Sequence, residues 1–164
     1  MRILGVDPGL STTGIGLIEA SGQQMHALDW LTIETSPALA LPDRLCELGK
    51  DFSGLLADLR PDLAIVEQVF FAKNARTAIS VAHARGVLLM HLTQAGVPVV
   101  EITPMQLKAA ITGDGGADKQ QIGAMLLRWL ALEEVPTPAD AADALALAVY
   151  GALHHQEIVA QSTK

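Results

Sequence analysis

The stretch "RILGVDPGLSTTGIGLIEA", residues 2–20, sets the reading of the whole chain. An apolar run climbs to Asp7 and stops at turn-forming residues, "DPGLSTTG". A second apolar run, "IGLIEA", then resumes. The polar "SGQQ", beginning at Ser21 and Gly22, reads as a hairpin turn into a third strand, "ALDWLTIET" (27–35). Connections this short favour antiparallel pairing.

Beyond residue 40 the pattern changes. Leu41, Leu45, Leu48, Phe52, Leu55, Leu56 and Leu59 recur at helical spacing, which predicts an amphipathic helix over 41–59, closed by "RPD". "LAIVEQVFF" (63–71) reads as a buried strand. "RTAISVAHARGVLLMHLTQAG" (76–96) reads as a helix closed by Gly96, and "VPVVEITP" (97–104) as another strand. Strand and helix alternating in this order imply parallel strands joined by crossovers. Shorter helices follow at "PMQLKAAI" and "DKQQIGAMLLRWLAL", separated by "TGDGGA", and a last one covers "TPADAADALALAVYGALHH" (137–155). The expectation is an α/β fold: three antiparallel strands, then two parallel ones, flanked by helices. With 164 residues, half of them hydrophobic, the chain is expected to form a single domain, 1–164.

Composition narrows the function classes. No apolar run reaches the ~18 residues of a membrane span, and Met1 leads directly into a strand without a secretory pattern. Cys46 is the only cysteine, so no intramolecular disulfide is possible, and a cytoplasmic setting is expected. A net charge of −7 argues against indiscriminate coating of nucleic acid. Yet between Glu67 and Glu101 no acid occurs, while Lys73, Arg76 and Arg85 do. On charge alone, that segment reads as a modestly basic helix face.

The acids stand out by their setting. Asp7, before Pro8 and Gly9, has an ordinary reading as a turn residue. Glu67 interrupts a strand apolar enough to be buried on both faces, where a carboxylate is costly unless paired, metal-bound or at the sheet's open end. Asp140 fits a capping box with Thr137 as N-cap and Pro138 at the first helical position. Asp143 has no such explanation. Residues three apart on a helix lie roughly 60° apart around the axis and about 4.5 Å along it, so both carboxylates can converge on one point. Four carboxylates without a convincing Cys or His cluster suit Mg²⁺ or Mn²⁺ rather than zinc. Paired ions of this kind catalyse in-line phosphodiester displacement, so the implied chemistry is that of a nuclease.

With these residues in view, the chain resembles the RuvC Holliday-junction resolvases, which have a ribonuclease-H-like fold. The likeness runs through "GVDPGLSTTGIGLIE", "DLAIVEQVFFAKNARTAISVAHARG", "QLKAAITGDGGADKQQI" and "DAADALALA". It implies that Asp7, Glu67, Asp140 and Asp143 are the metal ligands, with Asp140 standing where some members carry His. It implies two Mg²⁺ ions per site with DNA bound, Mn²⁺ being possible, and catalytic, DNA-engaging roles for Lys108 and Lys119. Phe70 matches the aromatic used at the branch point, where stacking on an unpaired base is sensible chemistry. Phe71 is left to packing or an auxiliary contact. Lys73, Asn74 and Arg76 become contacts for phosphates or bases, and Arg85 a structural residue. His154 and His155 lie beyond the ligand face of the last helix and read as solvated, with His154 a lesser candidate for the site's edge.

The resemblance further implies a homodimer that nicks two strands of a four-way junction symmetrically in recombination and repair, leaving 5′-phosphate and 3′-hydroxyl ends. It implies cooperation with the RuvA and RuvB branch-migration proteins. The helix at 76–96 would face both its own sheet and the partner subunit. The alternative reading is a ribonuclease-H-like nuclease acting on RNA, for which "VFFAKNA" is not required. An actin-like or sugar-kinase-like ATPase, suggested by "DPGLSTTG", needs a duplicated domain for which there is no room. A non-catalytic junction binder is expected to lose some of the four acids.

Overall fold

The computed structural model describes residues 1–22, 24–68 and 75–162. Five strands, β1 (Arg2–Asp7), β2 (Thr12–Ser21), β3 (Gln24–Glu34), β4 (Leu63–Glu67) and β5 (Val99–Ile102), form one sheet in the order β3-β2-β1-β4-β5. β1 pairs antiparallel with β2, and β2 with β3, whereas β1–β4 and β4–β5 are parallel. The mixed sheet expected from the spacing of the apolar runs is the one observed. The helices are α1 (Leu41–Leu59), α2 (Ala75–Gln94), α3 (Pro104–Thr112), α4 (Lys119–Leu130) and α5 (Ala139–Ser162).

Two cores lie on opposite faces of the sheet, and side-chain alternation along the strands sorts residues between them. Ile3 of β1 with Leu63 and Ile65 of β4 packs against α3, α4 and α5. Leu4 and Val6 with Ala64 and Val66 packs against α1 and α2. β4 is therefore buried on both sides, as its continuous hydrophobicity requires. Fully burying a side chain such as Phe52 or Leu88 stabilises the fold by about 1.5–3 kcal/mol each.

Several boundaries differ from the sequence reading. β2 begins at Thr12 rather than Ile15, because Thr12 and Thr13 already pair with Glu34 and Ile33. The buried Thr13 hydroxyl donates to the Gly9 carbonyl at 2.6 Å, which also ties down the turn after β1. β4 ends at Glu67, and residues 69–71 of the run read as its continuation lie outside the described residues. α5 starts two residues later than read and runs on to Ser162.

The start of α5 corrects the capping-box reading of Asp140. With Ala139 as the first helical residue, the cap position belongs to Pro138, which has no side-chain acceptor, and Thr137 lies one residue outside. The Pro138 carbonyl takes the amides of Ala141 and Ala142 at 3.1 and 3.2 Å. Asp140 sits in the first turn, where its charge still suits the helix dipole.

Candidate active site

β1 and β4 run parallel in register, Val6 beside Val66, so the next residues, Asp7 and Glu67, stand side by side at the carboxyl ends of adjacent strands. Such ends are where open α/β sheets place ligands. Asp7 is in phase with Ile3 and Gly5, and Glu67 with Leu63 and Ile65. Both therefore point to the face covered by α5.

Glycines bring α5 down onto that face. A Cβ on Gly14, the partner of Asp7 across β1–β2, would lie 2.0 Å from the Asp140 carbonyl oxygen. A Cβ on Gly5 would lie 1.8 Å from the Ala144 carbonyl oxygen. The backbone of Asp140 thus rests directly on the strand pair that carries Asp7. The helix repeat then brings Asp143 to the same side, one turn further.

The charges feel one another. Burial, then Glu67, Asp143 and Asp140 in that order, pushes the Asp7 carboxyl up to about 7, with Lys119 pulling the other way. Burial and Asp143 also raise Glu67, against Lys119 and Lys108. The Lys119 ammonium donates to Asp143 Oδ2 at 2.6 Å, and that bond, ahead of the remaining acids, raises the lysine's own pKa. Lys119 is held there as the first residue of α4, after a capping box of Asp118 and Gln121. Lys108 is half-buried on α3, which begins with a second capping box of Thr103 and Gln106.

As the side chains stand, no three Asp, Glu, His or Cys among the described residues are set to hold one ion in common. Asp143 has the ammonium as its partner instead. The donor set still fits a hard divalent cation. It is all carboxylate oxygen, and the acids shift Asp7 and Glu67 in the direction that an added positive charge would reverse.

Of the other residues singled out in the sequence, Phe70, Phe71, Lys73 and Asn74 lie outside the described residues, and Arg76 falls in the first turn of α2. Arg85 pairs with Glu101, the structural role read for it. His154 is not at the site's edge. Eleven residues of helix separate it from Asp143, roughly 16 Å, and its ring stacks on Tyr150 with centroids 4.4 Å apart. Sequence reasoning missed Arg44, whose guanidinium is bonded to the turn after Asp7, with Nη2 3.0 Å from Ser11 Oγ. The available signal was a cation in the first turn of a helix, where the dipole disfavours it.

Compared with known proteins, residues 3–151 match the family model described as crossover junction endodeoxyribonuclease RuvC. The chain belongs to the RuvC family. It is 46% identical over 149 residues to the RuvC of Brevibacillus brevis, covering 91% of this chain and 90% of that one. It is 44% identical over 149 residues to the RuvC of Syntrophomonas wolfei, covering 91% and 87%. Among solved structures, Thermus thermophilus RuvC matches with a TM-score of 0.89 at 32% identity over 96% of each chain. The structure of T. thermophilus RuvC in complex with Holliday junction substrate matches equally well. The fold is accordingly the ribonuclease-H-like fold of RuvC, and RuvC proteins are nucleases that hydrolyse phosphodiester bonds.

Proposed function

We propose that this chain resolves Holliday junctions by symmetric, divalent-metal-dependent hydrolysis, with residues 1–164 acting as a single nuclease domain. The observation that carries the reading is the convergence of Asp7 and Glu67, on adjacent strand ends, with Asp140 and Asp143 of α5, where the positive charges acting on the strand acids are those of Lys108 and Lys119. Family membership implies divalent-metal dependence, and the all-oxygen donor set favours Mg²⁺, with Mn²⁺ as a substitute. The four acids would hold two ions with DNA bound. When bound, the ions supply an activated water and stabilise the departing 3′ oxygen.

The remaining chemistry belongs to the side chains. Lys119 leaves Asp143 for a phosphate oxygen of the strand, and Lys108 supplies a second cation at the same edge. Phe70 stacks at the branch point, with Phe71, Lys73, Asn74 and Arg76 as further DNA contacts. A homodimer presents two such sites. The exposed Ile79 and Met90 on α2, with Ala82 and Gly86 between them on the same side, support a subunit contact there. The enzyme works in the cytoplasm, with RuvA and RuvB.

The test offers a synthetic four-way junction, a linear duplex and an RNA hairpin to the purified protein, with and without Mg²⁺. Paired nicks in the junction alone, dependent on the ion and abolished by Asp7→Asn, are the expected result. Equal cutting of the duplex or the hairpin would sink the resolvase reading.

A further inference from the structure

On the other side of Asp140 from Lys119, a cleft of ≈360 Å³ is lined by Gly9, Leu10, Ser11, Thr12, Arg44, Ser80, Val81 and Asp140. It joins the turn after β1 to α1, α2 and the start of α5. Its cation is Arg44. Nε donates to Thr35 Oγ1 at 2.9 Å, while Nη2 lies 3.0 Å from Ser11 Oγ, 3.4 Å from the Leu10 carbonyl and 3.5 Å from the Thr35 carbonyl. Every one of these partners is a neutral oxygen. The ion pairs among the described residues are Arg85–Glu101 and Lys119–Asp143, so no described carboxylate pairs with this half-buried guanidinium. The positive end of α1 adds to its charge.

We infer that this cleft is a second phosphate subsite, in which Arg44, with Ser11 and Ser80, binds a backbone phosphate of the strand being cut, next to the scissile one. A guanidinium fixed by neutral acceptors retains its charge for an anion, and its planar fork suits phosphate. The hydroxyls of Ser11, Thr12 and Ser80 are donors of the kind that hold DNA backbones. Asp140 forms the wall shared with the acid cluster, so one strand spans both. Its negative charge, unfavourable to a phosphate by itself, is one that the ions of the proposed mechanism offset. The inference rests on the proposed function for the identity of the polymer, and it adds a contact on the side away from Lys108 and Lys119.

Binding of a four-way junction in Mg²⁺ tests it, measured over a series of KCl concentrations in an Asp7→Asn background that blocks cutting. Arg44→Gln should weaken binding about 10-fold, the effect of one charged hydrogen bond, and lower the slope of log Kd against log salt by about one. Arg44→Lys should keep the slope. Ser80→Asp, which leaves the contacts of Arg44 to the turn in place, should weaken binding similarly. Combined with Arg44→Gln it should cost less than the sum, because both act on one phosphate. If Arg44→Gln fails to fold, Ser80→Asp is compared with Ser53→Asp, at an exposed serine further along α1 and outside the cleft, and a larger loss for Ser80→Asp is expected. Equal losses for those two, parental affinity and slope in folded Arg44→Gln, or strictly additive losses would each overturn the subsite. The proposed function fails separately, if the unsubstituted protein leaves the junction uncut.

Discussion

A carboxyl held near 7 by burial and by three other acids binds a proton over a range where the same group in an unfolded chain, near 3.8, has lost it. Between about pH 4 and 7 the folded state therefore carries more protons than the unfolded state, and stability falls as the pH rises through that interval. For the ion-free protein, Asp7→Asn should raise the melting temperature at pH 8 and have little effect at pH 4. Each kcal/mol of relief corresponds to about 2–4 °C. Scanning calorimetry in chelator at both pH values checks this, and a larger gain at pH 4 would contradict it. Lys119 poses a separate question. Its ammonium is exposed, so its bond to Asp143 contributes at most about 1 kcal/mol to folding. Lys119→Ala should leave the melting temperature within a few degrees while lowering single-turnover cleavage of the junction by about 100-fold, the scale of losing one charge-stabilising donor.

At the scale of elements, the seating of α5 on β1 and β2 decides whether the acids meet. Gly14→Ala sets a methyl group against the Asp140 carbonyl and must lift the helix start. It should cost about 1–3 kcal/mol in urea unfolding, the range for overpacking, and reduce cleavage more than Gly5→Ala at equal stability, because of the two only Gly14 lies under one of the proposed ligand residues. Gly54 makes the contrast. It is exposed in α1 with nothing within 4 Å of an added Cβ, so Gly54→Ala should stabilise by about 0.5–1 kcal/mol without changing cleavage. These elements also mark how far the sequence could be read. α1 was legible to the residue because a long amphipathic period declares itself. Two acids of the candidate site stood out as anomalies, Glu67 against its apolar strand and Asp143 against its apolar helix. The start of α5 was misread, because Thr-Pro fits a helix cap locally and only the packed structure sets Pro138 there. Arg44 went unread, since Leu10 and Ser11, 34 and 33 residues earlier in the chain, are brought to it only by the fold.

For the molecule as a whole, under the proposed homodimer, placing a charge on the outward side of α2 should separate the subunits. Ile79→Glu combined with Met90→Glu removes exposed apolar surface and leaves the buried Ala84, Leu88 and Leu92 in place. Sedimentation should then report a folded monomer, and junction nicks should lose their pairing across the two strands. A dimer of unchanged strength would place the interface elsewhere. The Lys119–Asp143 pair has a consequence of its own at this scale. One carboxylate is shared between an internal ammonium and the ions of the proposed mechanism, so loading the ions releases a cation at the moment a polyanion arrives. Ion and strand are then heterotropic ligands of one site. Whatever factor Mg²⁺ lends to DNA affinity, DNA must lend to Mg²⁺ affinity, so under the proposed mechanism the ions should bind more weakly before the strand arrives, while Lys119 still holds Asp143.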